Sequence, residues 1–269
     1  MNEQLSPPDV FDPHRPNVAR VYDYLLGGKD NFAADRVVGD QISVMLPVVQ
    51  AGVLAQRAVL GRAVSYLVGE AGIRQLIDIG AGLPTAENVH QIARRIDPSA
   101  RVIYVDNDPV VLAHARALLA GQTTTIVVNG DLRQPAGIVG NPEVRGHLDW
   151  DQPIGVLLCG IMHYILDEEK PGELMDELFG AIPPGSYVFI HHLLSSDDPA
   201  VADLEAAMKQ GLGRVRFRTH DEIMRLFGEL EMVEPGLVIV PDWRPKPGSP
   251  TARDFPVLRM AVAGLARKP

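Results

Sequence analysis

The sequence predicts an α/β fold, a mostly parallel sheet with an antiparallel closing strand, preceded by an N-terminal helical segment. Three observations carry this reading. From residue 75 onward, short β-branched runs alternate with helical stretches, the signature of βαβ units. A G-x-G turn stands at the end of the first of these runs. Two apolar runs beyond residue 236 supply closing strands.

Taken in order, residues 1–16 are rich in Pro and Asp and read as an irregular arm. Residues 17–26 (NVARVYDYLL) carry apolar residues at helical spacing, with Asn17 as the cap. GGKDN (27–31) breaks that helix, and 33–69 reads as one or two helices interrupted near Pro47. The strands come next: QLIDIG (75–80), RVIYVD (101–106), TTIVVNGD (124–131), IGVLLCG (154–160) and YVFIHH (187–192). Helices are expected between them at 85–96, 109–120, 171–182 and 200–210. THDEIMRLFG (219–228) reads as a helix with a Thr219–Glu222 capping box. LVIV (237–240) and VLRMAVAGLA (257–266) are the closing strands, joined by a Pro-rich surface loop. This organisation divides into an arm and helical lid over 1–69 and a ligand-binding core over 70–269.

Bulk properties narrow the class. The chain has 269 residues, enough for one large α/β domain. The net charge of -9 argues against a broad electrostatic grip on nucleic acid. The single cysteine, Cys159, excludes an intrachain disulfide and fits a reducing compartment. The first residues lack a signal-peptide pattern, and no apolar run is long enough for a transmembrane helix. A cytoplasmic enzyme without membrane attachment is expected.

DIGAGLPT (78–85) spans the end of the first strand and the turn after it. Gly80 and Gly82, flanking Ala81, permit a tight turn and close ligand approach. A dinucleotide fingerprint would need Gly or Ala at 85, where Thr85 stands. The G-x-G-x-G pattern of S-adenosylmethionine (SAM) sites is also broken, at Pro84. SAM has no pyrophosphate for a helix N-terminus to hold, so the departure harms that reading less. Strand tips carry Asp78, Asp106 and Asp131. Asp106, next to Asn107, suits the two hydroxyls of a ribose. Asp131 suits an adenine amino group, with the Leu132 backbone at the ring edge. Each Asp alone is more often a cap; the three in register with the turn favour SAM.

LLCGIMHYI (157–165) ends the fourth strand. Backbone groups of Cys159 and Gly160 are candidates for the SAM amino group. His163, Tyr164, His191 and His192 are candidate proton acceptors, although no spacing selects one. A metal at His191–His192 is not expected, because adjacent strand side chains point to opposite faces. Arg214, Arg216 and Arg218 alternate, as on one face of a strand, and read mainly as a solvated basic face.

The segments PNVARVYDYLLGGKDNFAADR (16–36), IDIGAGLPTAENVHQIA (77–93), VIYVDNDPVVLAHARALL (102–119), VNGDLRQP (128–135), LLCGIMHYI (157–165) and GSYVFIHHL (185–193) resemble a bacterial family of S-adenosyl methyltransferases once labelled only as a domain of unknown function. The resemblance spans most of the chain. It implies a Rossmann-like class I methyltransferase fold, SAM as cofactor and an acceptor that is not settled. The N-terminal motif also has its own physical reading as a lid over the methionine end of SAM. Gly27–Gly28 would be its hinge, Tyr22 and Asn31 its polar contacts, and Arg20 the partner of the SAM carboxylate. Methyl transfer to a small-molecule acceptor, with S-adenosylhomocysteine (SAH) as product, is the expected activity. A SAM-binding regulator without turnover and an NAD-type oxidoreductase are the alternatives. Oligomeric state is left open.

Overall fold

The computed structural model describes residues 12–84 and 87–269. Most of the expected arm, and Thr85 with Ala86 at the start of the expected 85–96 helix, lie outside the described residues.

Five parallel strands are β1 (Gln75–Ile79), β2 (Arg101–Asp106), β3 (Thr125–Asn129), β4 (Gly155–Cys159) and β5 (Tyr187–Leu193). β6 (Glu231–Met232), β7 (Val238–Ile239) and β8 (Ala261–Arg267) complete one sheet. Its order is β3-β2-β1-β4-β5-β8-β6, with β7 also on β8. β8 runs antiparallel to β5 along its whole length, from Tyr187 opposite Arg267 to Leu193 opposite Ala261. The chain leaves β1 toward β2 on one side and returns to β4 on the other, which opens a crevice at the C-terminal strand ends.

All five residues of β1 are buried, as expected for a parallel strand covered on both faces. Alternate residues enter different cores. Leu76, Val102, Leu157 and Phe189 pack against α3 (Val49–Gly69), α4 (Val89–Ile96) and α5 (Pro109–Leu118). Ile77, Ile103, Val156 and Ile190 face α6 (Pro135–Val139), α7 (Pro142–His147) and α8 (Pro171–Ala181). A third cluster joins α1 (Val18–Leu25) and α2 (Ala33–Met45) to α9 (Pro199–Leu212), through Val21, Val38, Ile42, Val201, Leu204 and Phe217. Those three helices form a cap over the crevice. α3, grouped by sequence with the N-terminal segment, is a core helix: Val59, Leu60, Val64 and Leu67 sit in the same cluster as Leu76.

Local chemistry sets the ends. Asn17 caps α1, its side-chain oxygen accepting from Ala19 N–H at 2.8 Å. The break at 46–48 separates α2 from α3 beside Pro47. Thr219 and Glu222 form the expected capping box of α10 (His220–Arg225), which is shorter than 219–228. The closing strand starts at Ala261 rather than 257, because Pro256 opens a 3-10 turn, Pro256–Arg259. Residues 214–218 are not a strand; one bridge, Leu194 with Arg218, is all the pairing they make. Their cations meet acids instead: Arg214 with Glu169, Arg216 and Arg218 with Asp167. Among the described residues, no single helix is long and apolar enough to cross a membrane, and no cluster of His, Cys, Asp or Glu could hold a metal ion.

Candidate active site

A cavity of about 350 Å³ lies where the strand ends meet the cap. Gly80, Ala81, Gly82, Asp106, Asn107, Asp131, Leu132, Cys159 and Gly160 line its sheet side. The cap side is apolar, with Val21, Leu25, Ile42, Leu204 and Met208 among its lining, and Val53 of α3 continues that surface.

The glycine turn is held by the neighbouring strand. Gly80 N–H donates to the Val105 carbonyl at 2.8 Å, and Gly82 N–H to Asp106 Oδ2 at 2.9 Å. Both glycines have positive φ, +73° and +67°. At Gly80 a Cβ would come within 2.9 Å of Ile161, so the turn excludes side chains there for space as well as conformation. Asp106 Oδ1 also accepts from Asp108 N–H at 3.0 Å. Burial pushes the Asp106 carboxyl above its ordinary range, while these backbone donors oppose the shift. Asp131 behaves differently. Burial would raise it, but Arg133, bonded through its guanidinium and backbone N–H, outweighs burial and holds it low. Asn107 Nδ2 donates to the same carboxylate at 3.2 Å.

Tyr22 lines the cavity from α1 and donates its hydroxyl to the Val53 carbonyl at 3.2 Å. His163 and Tyr164, in a 3-10 turn after β4, and His191 on β5 line it as well. Burial lowers the His191 imidazole to about 4. His163 is lowered well below its ordinary value, first by burial and then by its neighbours His192, His191 and Arg218. Both rings are therefore neutral near pH 7. The Nδ1 of each is buried without a hydrogen-bond partner. Burial pushes the Cys159 thiol up to about 12, so it is a neutral wall atom and no nucleophile.

Four sequence candidates are placed elsewhere. Arg20 is 3% exposed and does not line the cavity. Its Nε donates to Asp35 at 2.8 Å and its Nη2 to the Arg15 carbonyl at 2.6 Å, so its charge is committed to joining α1 and α2 rather than to a SAM carboxylate. Asn31 donates to Asp23 and to the Gly28 carbonyl. That network also takes Asp30 N–H, and a Cβ at Gly28 would sit 2.0 Å from Asp23, so the Gly27–Gly28 turn is a packed corner rather than a hinge. Asp78 does not line the main cavity; it lies in β1 beside a smaller cleft with Arg57, Asn88 and Tyr104, which adjoins that cavity at Ala81 and Gly82. Burial raises it to about 7, with Arg57 opposing and Asp106 adding to the shift. His192 has both nitrogens engaged: Nδ1 donates to the Leu193 carbonyl at 2.7 Å, and Nε2 accepts from Arg218 at 3.1 Å. It points away from the cavity that His191 lines, and it is removed as a proton acceptor.

Sequence reasoning missed Gln56. It lines the cavity with Val49, Gly52 and Val53, and Gly160 needs to be glycine because a Cβ there would lie 2.4 Å from Gln56 Nε2. The spacing 49, 52, 53, 56 is one helical face, and a polar residue on that stripe was the available signal.

Residues 4–269 match a family model described as S-adenosyl methyltransferase. The solved structure of a candidate methyltransferase from Thermobifida fusca YX is 42% identical, with a TM-score of 0.90 over 95% of this chain and 96% of that one. A DUF574 family protein from Streptomyces avermitilis MA-4680 is 37% identical, with a TM-score of 0.89 over 96% of this chain and 99% of its own. An O-methyltransferase family protein from Burkholderia thailandensis, 16% identical with a TM-score of 0.51 over 80% of this chain and 56% of its own, shares the fold. No curated protein matches the chain. The chain thus belongs to the S-adenosyl methyltransferase family and is a SAM-dependent methyltransferase on a Rossmann-like class I fold.

Proposed function

We propose that this enzyme methylates a small-molecule acceptor enclosed between the sheet and the helical cap, releasing SAH. The observation that carries the reading is the continuity of one cavity from the polar strand ends to the apolar cap wall.

The residues present fit the methyl donor. Gly80 and Gly82 bring bare backbone to the cavity, and a Cβ at Gly82 would meet nothing within 4 Å, so ligand atoms can approach there. Asp106 and Asn107 are assigned to the ribose, Asp131 and Leu132 to the adenine. The backbone at Cys159 and Gly160 is assigned to the amino group of the methionine portion, and Tyr22 covers that end. SAM supplies an activated methyl on a sulfonium. The positive charge vanishes as the carbon–sulfur bond breaks, so the leaving group needs no general acid. The chain's own work is alignment and exclusion of water, which the cap helices perform.

The test is calorimetry with SAM, SAH and NAD on the full chain. Micromolar binding of SAM and SAH, about -8 kcal/mol, is expected. Binding of NAD without SAM would reverse the assignment.

A further inference from the structure

Two features of the cavity bear on what the acceptor is. The first is the distribution of charge. Its charged lining residues are Asp106, Asp108, Asp131, Arg133 and Arg214. Each is engaged: Asp106 by backbone N–H groups, Asp108 by the Val110 and Val111 N–H groups, Asp131 by Arg133, and Arg214 by Glu169. Among the described residues, the cap helices α1, α2 and α9 place no charged side chain on the cavity. A charged acceptor would lose its hydration there without gaining a counter-ion. The second feature is the pair of imidazoles. His163 is 4% and His191 2% exposed and both line the cavity; the Nδ1 of each is sealed from it and lacks a partner, which leaves Nε2 as the ring nitrogen that can meet an acceptor. Buried polar atoms are rarely left so. Among the described residues, the cavity pairs an apolar chamber with two neutral imidazoles.

We infer that the acceptor is an uncharged, largely apolar hydroxyl compound of the phenol class, whose O–H is received by His191 or His163. The inference rests on the SAM-dependent reading of the same cavity. A phenol enters neutral, since its ordinary pKa is near that of Tyr, about 10. It is a weak nucleophile until the proton leaves, so it needs a proton acceptor. An aliphatic amine arrives as a cation and a carboxylic acid as an anion, and neither finds a free counter-charge on the cap side. In the transfer, the acceptor oxygen forms a bond to the methyl carbon as the carbon–sulfur pair returns to sulfur. The hydroxyl proton passes to the imidazole. The sulfonium becomes a neutral thioether, and its unit of positive charge reappears as imidazolium. That proton leaves to solvent when product departs.

The experiment uses the full chain and three probes sharing one apolar body: 2-naphthol, 2-naphthylmethylamine and 2-naphthoic acid. Binding to the SAH complex is measured by calorimetry, and methylation with SAM by mass spectrometry. Saturable binding and methylation of the naphthol, with both charged analogues weaker by about 100-fold or more, are expected. His191→Asn and His163→Asn are then assayed with 2-naphthol, with kcat, KM and the affinity for SAM read separately. Loss of a general base costs about 100-fold or more in kcat. For at least one variant that loss should fall on kcat and largely spare KM and the binding of SAM. Preference for the amine or the acid, or failure of the naphthol to bind and react while SAM binds, overturns the inference alone. So does, in both variants, an unchanged kcat or a loss confined to KM and the binding of SAM. Absence of SAM binding overturns the cofactor reading as well.

Discussion

Replacing Asp106 with Asn separates its two jobs. In the parent, Oδ2 accepts from Gly82 N–H at 2.9 Å and Oδ1 from Asp108 N–H at 3.0 Å. Asn has one oxygen and one NH2 group, so either rotamer leaves one backbone N–H facing a donor. With the residue only 8% exposed, that orphan costs about 1–3 kcal/mol of stability. If the carboxylate also receives ribose hydroxyls, the ligand loses a charge-assisted bond worth about 1.5–3 kcal/mol, weakening SAM about 10- to 150-fold. Urea denaturation and calorimetric titration with SAM, on the same preparations, read the two effects separately. Lowered stability with an unchanged Kd for SAM would mean that Asp106 only clamps the glycine turn, and the ribose assignment would fall.

Other outcomes rest on the same geometry. Arg20→Ala strands the fully buried Asp35 carboxylate and should cost about 3–5 kcal/mol in urea, whereas undiminished stability would show that the pair does not hold α1 to α2. Gly80→Ala meets Ile161 at 2.9 Å with φ at +73°, so a lowered Tm and weaker SAM binding are expected; a wild-type Tm would mean the turn relaxes freely. His191 and His192 stay neutral in the folded chain down to about pH 4 and 3, while unfolded histidine protonates near pH 6.5. The unfolded chain therefore binds more protons in that window, and stability is full above pH 6.5 and falls as pH drops through it. His191→Phe should flatten part of that fall in urea midpoints, and parallel curves would refute the cause. Asp78 acts in the opposite sense. Its folded value of about 7, against about 3.8 unfolded, makes stability fall as pH rises between them, and Asp78→Asn should remove that fall.

Much of this architecture was legible because parallel strands buried on both faces announce themselves as apolar β-branched runs, and the Thr219–Glu222 and Asn17 caps are local signals. The strand-tip positions of Asp106 and Asp131 were legible for the same reason. Arg20 and Asn31 were not: their partners Asp35 and Asp23 lie 15 and 8 residues away, and only the folded corner shows that their polarity is spent on packing. His191 and His192 are indistinguishable by residue type, and the strand's alternation alone separates them. The position of Arg218 against His192 then decides which ring is engaged. Gln56 escaped because 33–69 reads from the sequence as part of the helical lid, and the cavity-facing residues of α3 are defined by the approach of Gly160, just after β4, which has no local signature.

β8 sits inside the sheet, between β5 and the short β6 and β7, yet it comes after every other strand in chain order. As the chain is synthesised, the parallel half of the sheet can assemble while the outer edge of β5, from Tyr187 to Leu193, still lacks its partner. Met260 and Ala261, which line the cavity, arrive with that same segment. Until residues 257–267 are made, the nascent protein presents a bare strand edge, a template for pairing with other chains, beside an apolar chamber open on one side. The interval of greatest aggregation hazard and the absence of a complete active site therefore coincide, and one event, the docking of β8, ends both.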